Sequence, residues 1–317
     1  MTPRSHAVVG AVCATVAVIF FSINDTAIKF LSGDYALHQV VLLRSLFGLT
    51  FLLLLVAPLT DGRAIFRTAK LGPHVLRGLM VVTANMLFFL GLAAMPLAEA
   101  VAIFFISPLV ITVFSIIFLG EKVGPWRWAA IIVGLIGVLI VLRPGTQAFR
   151  AASLLPLFAA TAYAGLHIMT RHIGKTESAA TMAFYIQIVF ITVCLAIGLA
   201  VGDGKFADQS DPSLAFLFRV WGWPSTADLP LFMLIGLGVA LGGYCISQAY
   251  RVAEAAYVAP FEYIAMPLSI FWGWLVFSEI PDGPTLAGAS LIVGSGLFTL
   301  WRENRAGQTV PTPKVRR

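Results

Sequence analysis

Charge is what this chain has least of. Of 317 residues only 11% are Asp, Glu, Lys or Arg and 59% are hydrophobic, against about 25% charged in a soluble domain. That deficit excludes an ordinary water-facing globule. Cysteine is nearly absent too: Cys13, Cys194 and Cys245 lie far apart, each inside an apolar run. They make neither a disulfide framework nor a metal-spaced pair and read as small apolar residues. There is no H-E-x-x-H, no G-x-S-x-G and no phosphate-binding glycine loop. His167 and His172 are five apart, off the spacing that puts two ligands on one helix face. Neither enzymatic chemistry nor a bound cofactor is expected.

What the chain has in abundance is long apolar runs. A helix needs about 20 apolar residues to cross a bilayer, and ten such runs can be drawn. They cover 7–31, 38–59, 73–94, 97–119, 125–142, 151–171, 178–201, 227–250, 255–278 and 284–301. The first has Arg4 ahead of it like a signal peptide, but it is too long, closes on no small-residue cleavage site and contains Asn24-Asp25. It reads as a retained helix. The one long gap, 203–226, carries Phe216, Phe218, Trp221 and Trp223 and suits the membrane interface. The expected class is an all-α integral membrane protein.

The basic residues set its orientation. With the N-terminus in the cytoplasm, fifteen Lys and Arg fall inside or at inner helix ends, Arg63, Arg77, Lys122, Arg171 and Lys175 among them. Four fall outside, Arg143, Arg150, Lys205 and Arg219, leaving Lys29 and Arg44 within spans. Both termini are expected in the cytoplasm. The net charge of +6 follows from this bias and is no nucleic-acid footprint.

The halves resemble each other. Ala98-Glu99-Ala100, Pro108 and Gly120-Glu121 precede a helix with Gly134 and Gly137; Ala253-Glu254-Ala255, Pro267 and Ser278-Glu279 precede one with Gly288, Gly294 and Gly296. Five spans per half is an odd number, so the halves must insert in opposite senses. The loops agree: Lys122 and Arg127 follow Glu121, whereas Ser278–Pro284 holds acids and no base. Inverted repeats are typical of secondary transporters, which bind solute near the midplane between the halves.

Polar residues inside spans mark candidate sites, because an isolated charge at membrane depth costs roughly 2.5–3.5 kcal/mol or more. Asn24, Asp25 and Lys29 interrupt the first span. Asp25 and Lys29 are four apart, so they share a face and can pair, as a structural ion pair or as a contact for solute or protons. Arg44 in the second span can pair with Asp25 or Asp34 or grip a carboxylate. Asn85 and Gln187 can hydrogen-bond across helices. Tyr163 and His167, and likewise Tyr244 and Gln248, each pair an aromatic with a polar group four residues on. Glu262 in the ninth span is either desolvated there, which suits proton coupling, or, close to an end of the span, merely solvated. Glu99 and Glu254 open helices and read as structural, while Glu121 and Glu279 close theirs at the membrane surface. Pro108, Pro260 and Pro267 each remove an N–H donor and free a carbonyl one turn earlier, as expected of broken helices at a site.

These residues carry a resemblance. Ser22-Ile23-Asn24-Asp25 with Lys29, Arg44, Pro108, Gly120-Glu121-Lys122 with Trp128, Ala259-Pro260-Phe261-Glu262-Tyr263, Pro267 and Glu279 follow one another as in a drug/metabolite transporter of the EamA type. The resemblance spans the whole chain, with Ser278-Glu279 standing where Gly-Glu is usual. It implies ten transmembrane helices as two inverted five-helix EamA repeats, 1–143 and 151–302, then a basic cytoplasmic tail, 303–317. It implies an inner-membrane permease working by alternating access. The expected solute is a small polar metabolite, such as an amino acid or an aromatic or zwitterionic relative. The alternative within the family is a riboflavin- or nucleobase-type compound, and the alternative outside it is an intramembrane lipid-modifying enzyme. Expected partners are the solute, the bilayer and protons as coupling ion. Asn24, Asp25, Lys29, Arg44, Asn85, Tyr163, His167, Tyr244, Gln248, Glu262 and Tyr263 are the expected binding or coupling residues, with Tyr163, Tyr244 and Tyr263 stacking on the solute.

Overall fold

The computed structural model describes residues 3–59, 64–120, 124–146, 150–174, 176–253 and 258–305. Every regular element among them is helical. The first half holds α1 (Pro3–Leu31), α2 (Leu37–Phe51), α3 (Leu71–Ala94), α4 (Leu97–Phe104), α5 (Ser107–Leu119) and α6 (Pro125–Leu142). The second holds α7 (Leu154–Ile173), α8 (Ala179–Val201), α9 (Pro212–Phe218), α10 (Leu229–Val252), α11 (Ala265–Phe277) and α12 (Gly283–Arg305). Seven stretches are long and apolar enough to cross a membrane. Three shorter apolar helices, Trp128–Leu142, Phe261–Phe277 and Gly283–Phe298, bring the total to the ten expected.

Local chemistry explains the element ends. Proline opens α5, α6, α9 and α10 within their first two positions, where its missing N–H has no helical partner to lose. The Ser178 hydroxyl caps α8 by accepting the Thr181 N–H at 3.0 Å. α5 ends on Gly120 and α11 on Ser278, both left-handed, at φ +68° and +55°. That explains why glycine is usual at this place: serine's Cβ makes the same turn costlier.

The fourth span is not one rod. It turns at Phe105-Ile106 between α4 and α5, just ahead of Pro108. The ninth contains a 3₁₀ turn, Ala259–Ile264, which includes Pro260 and passes into α11 just ahead of Pro267. The two breaks thus occupy corresponding places in the two halves.

Packing exchanges under the repeat. α1 lies on α10 as α3 lies on α7; α2 lies on α10 as α3 lies on α8; α1 meets α11 as α5 meets α7. α6 and α12 pack on each other through glycine: a Cβ on Gly137 would come 2.7 Å from the Gly288 carbonyl oxygen, and one on Gly288 2.5 Å from that of Gly137. Small residues let membrane helices approach this closely. Ile117, Phe118, Leu139, Leu199 and Trp274 point outward, exposed, as a lipid-facing belt requires and a soluble protein avoids.

The 203–226 segment, expected to suit the membrane interface, folds over the helix ends. Arg219 donates to the Ser32 carbonyl (2.6 Å), Trp221 Nε1 to His38 Nδ1 (2.5 Å) and Ser213 to the Leu90 carbonyl (2.7 Å), while Trp223 stays exposed. α12 runs through Arg305, and 306–317 of the expected basic tail lie outside the described residues. Arg77, counted among the inner-side charges, is a buried residue of α3.

Candidate functional site

The broken helices and α1, α2, α3, α7, α8 and α10 enclose a cavity of about 160 Å³. Its walls are mostly aromatic and aliphatic. Phe21, Phe88, Phe89, Phe104, Phe105 and Phe190 line it, with the polar residues Asn24, Asp25, Arg44, Arg77, Asn85, Tyr163, His167, Gln187, Ser247 and Glu262 among them.

Arg44 is the centre of its polar wall. It is 2% exposed. Its terminal nitrogens donate to Asn24 Oδ1 at 3.4 Å and to Asn85 Oδ1 at 3.3 Å. Its flat face lies over two rings, 4.9 Å from the Phe190 centroid and 5.5 Å from that of Phe89. Asn24 in turn donates to Asp25 Oδ1 at 3.1 Å. The amide thus bridges guanidinium and carboxylate, in place of the direct Arg44–Asp25 pair drawn from sequence.

A second cluster lies towards the other end of α7. Glu262 accepts the Tyr163 hydroxyl at 3.0 Å on one oxygen and the Tyr250 hydroxyl on the other. His167 stacks on Tyr250, centroids 3.8 Å apart, and meets Tyr163 edge-on at 4.2 Å. Beside them Arg77 donates to Thr170 Oγ1 (2.6 Å), the Met182 carbonyl (2.9 Å) and Ser247 Oγ (3.1 Å). Arg77, Ser247 and Tyr250 were not singled out from the sequence.

Four expected residues lie elsewhere. Lys29 does not pair with Asp25. Its Nζ donates to both oxygens of Glu279, at 2.7 and 3.0 Å, and to the Met95 carbonyl at 2.8 Å. Glu279 Oε2 also accepts the Leu97 N–H at 2.9 Å, capping α4. A carboxylate in capping position suits the positive helix end, and it reaches Lys29 because the left-handed turn at Ser278 folds the chain back. Tyr244 and Gln248 are turned off the cavity: the α10 residues lining it are Val239, Gly243, Ile246 and Ser247, Gly243 and Ser247 standing one residue or about 100° from them. Tyr244 packs among Leu52, Ala183 and Ala240, and Gln248 accepts from Arg251 at 3.1 Å. Tyr263 is buried edge-on to Phe105 at 5.4 Å and crowds Gly296. Glu121 and Glu254 lie outside the described residues.

The Lys29–Glu279 pair ties three elements together at one end of the bundle, and charge-assisted bonds of this kind are worth about 1.5–3 kcal/mol each. A Lys29→Met, Glu279→Gln double variant in nanodiscs is expected to raise maleimide labelling of an Ala84→Cys reporter several-fold in a background without the native cysteines. Unchanged labelling would mean that this latch does not close the cavity. Nearby, Arg143 holds α6 to α12 through Asp282 (2.5 and 2.6 Å), and it keeps that exposed carboxyl depressed to about 2.

Comparison with known proteins fits this geometry. The EamA-like transporter family model matches residues 8–143. A riboflavin transporter of Rhizobium johnstonii is 32% identical over 301 residues, covering 95% of this chain and 94% of the relative. The chain belongs to the EamA-like transporter family. A riboflavin transporter of Vibrio cholerae serotype O1 is 31% identical over 311 residues, 96% of this chain and 98% of that one. An S-adenosylmethionine uptake transporter of Rickettsia felis is 28% identical over 290 residues, 92% of each chain. A solved protein structure superposes with a TM-score of 0.68 at 17% identity, covering 94% of this chain and 99% of that one, which shows a shared fold. This EamA protein is therefore a multi-pass inner-membrane transporter of the drug/metabolite class and not an enzyme.

Proposed function

We propose that this protein carries a neutral, ring-bearing metabolite of the flavin type by alternating access, with both termini in the cytoplasm. The carrying observation is the character of the cavity. Two guanidinium groups, Arg44 and Arg77, and two carboxyl groups, Asp25 and Glu262, line it, so their formal charges cancel. Aromatic rings make up much of the remainder. Such walls favour a flat solute with little net charge, since planar rings stack on aromatic faces. A free amino acid, the first expectation from sequence, is less well served: Lys29 is engaged by Glu279 and Arg77 by three neutral acceptors. S-adenosylmethionine carries a net positive charge, and a wall whose formal charges cancel offers it no surplus carboxylate.

At about 160 Å³ the cavity is smaller than the roughly 300–1,000 Å³ of drug-sized pockets. A flavin would enter it in a wider state, which alternating access provides. The paired breaks at Phe105-Ile106 and Ala259–Ile264 are natural hinges for that widening. The even number of spans puts both termini on one side, and the charge bias of the loops supports the cytoplasm.

The test is flux of fluorescent riboflavin in proteoliposomes, with both directions followed. Saturable flux well above empty liposomes, competed by excess unlabelled riboflavin, is expected. Flux at the level of empty liposomes, from protein that is monodisperse and folded, would overturn the reading.

A further inference from the structure

Three cavity-lining side chains are buried and carry polar atoms that no group among the described residues satisfies. They are Arg44 through Nε, Gln187 through Oε1 and His167 through both ring nitrogens. Their polar neighbours are engaged: Arg77 makes three bonds, Glu262 two, and Thr170 donates to the Leu166 carbonyl. Unsatisfied groups on the residues that line a cavity are where a ligand gains most.

Arg44 and Gln187 act on one place. α2 packs on α8, and Phe190, one turn after Gln187 on α8, is the ring beneath the Arg44 guanidinium. The two side chains therefore flank the same aromatic patch. Arg44 Nε can only donate. Gln187 lines the cavity with its carbonyl oxygen unpartnered and able only to accept, while its Nε2 lies against Gly48, where an added Cβ would stand 3.0 Å from it.

A donor beside an acceptor selects its complement. A carboxylate offers acceptors only and would set an oxygen against Gln187 Oε1. An ammonium offers donors only and would meet the Arg44 charge. A carbonyl next to a ring N–H answers both at once, with the ring plane left to stack on the phenylalanines. Resting on the flavin-type reading above, we propose that Arg44 and Gln187 recognise the C(=O)–N(H) edge of the solute's ring. In riboflavin this is the imide of the pyrimidine portion.

The test compares riboflavin with N3-methylriboflavin, which keeps the ring and both carbonyls and exchanges the N–H donor for a methyl group. Wild-type protein is expected to move riboflavin at least about tenfold faster. Gln187→Leu is expected to slow riboflavin and to erase the difference between the two flavins. Folding of the variant is checked by its melting temperature. Equal wild-type rates for both flavins, or discrimination that survives in Gln187→Leu, would overturn the inference while leaving the flavin reading intact. If neither flavin moves, the flavin reading falls. The edge is then read by thermal shift with thymine against 3-methylthymine: stabilisation by thymine alone supports it, and none by either overturns it.

Discussion

Replacing Arg44 with leucine is expected to abolish solute flux and to destabilise the bundle by roughly 3–5 kcal/mol, the usual cost of stripping one partner from a buried charge arrangement. Leucine leaves Asn24 Oδ1 and Asn85 Oδ1 without their donor and Asp25 without its nearby opposite charge. Arg44→Lys separates the two effects. Lysine keeps the charge but loses the planar fork and the face that lies over Phe89 and Phe190. It should cost only about 1–2 kcal/mol and still reduce flux by tenfold or more. The reason lies in how loosely the fork is held. Its bonds to the two asparagines are 3.3–3.4 Å long, at the edge of useful range, so they can be exchanged for bonds to solute at little cost. Melting temperature and flux measured on both variants decide the matter. Near-normal flux in Arg44→Lys would assign Arg44 to the scaffold alone.

That the sequence points to Arg44 is no accident of this residue. In apolar runs any polar side chain stands out, and Asn24, Asp25, Arg44, Asn85, Tyr163, His167 and Glu262 all come together around one cavity. The helix breaks are legible for a similar reason, since Pro108 and Pro267 recur at matching places in the two halves. Rotation is not legible. A helix that is apolar all round has no hydrophobic stripe to fix its phase, so Tyr244 and Gln248 could not be told from Gly243 and Ser247. Arg77 hid behind its neighbours: with Arg67 and Lys70 just upstream it looked like one more cytoplasmic charge. The signal against that was its place, six residues past Leu71, well inside α3. The partner of Lys29 was hidden differently. Glu279 is 250 residues away, beyond any helical spacing, while Asp25 offered a plausible partner one turn back.

Glu262 is expected to decide whether the carrier concentrates its solute. Its two oxygens accept from two tyrosines on two helices, Tyr163 of α7 and Tyr250 of α10, and it lies within the 3₁₀ break that leads into α11. His167 and the Arg77 guanidinium are the other titratable groups gathered at this end of the cavity, with Tyr263 buried behind its wall and Asp25 further along it. Proton arrival at this carboxyl would remove one acceptor and one charge from a junction of three elements, which is how a local protonation biases a two-state bundle. Glu262→Gln fixes the group as neutral with almost unchanged shape. Uptake driven by an imposed proton gradient should fall about tenfold or more in that variant. Solute-for-solute exchange, which needs no net proton movement, should persist at a rate within about threefold of wild type. Gradient-driven accumulation that survives in Glu262→Gln would remove this residue from coupling. Loss of exchange together with accumulation would reassign it to binding the solute, with the tyrosine pair as its support.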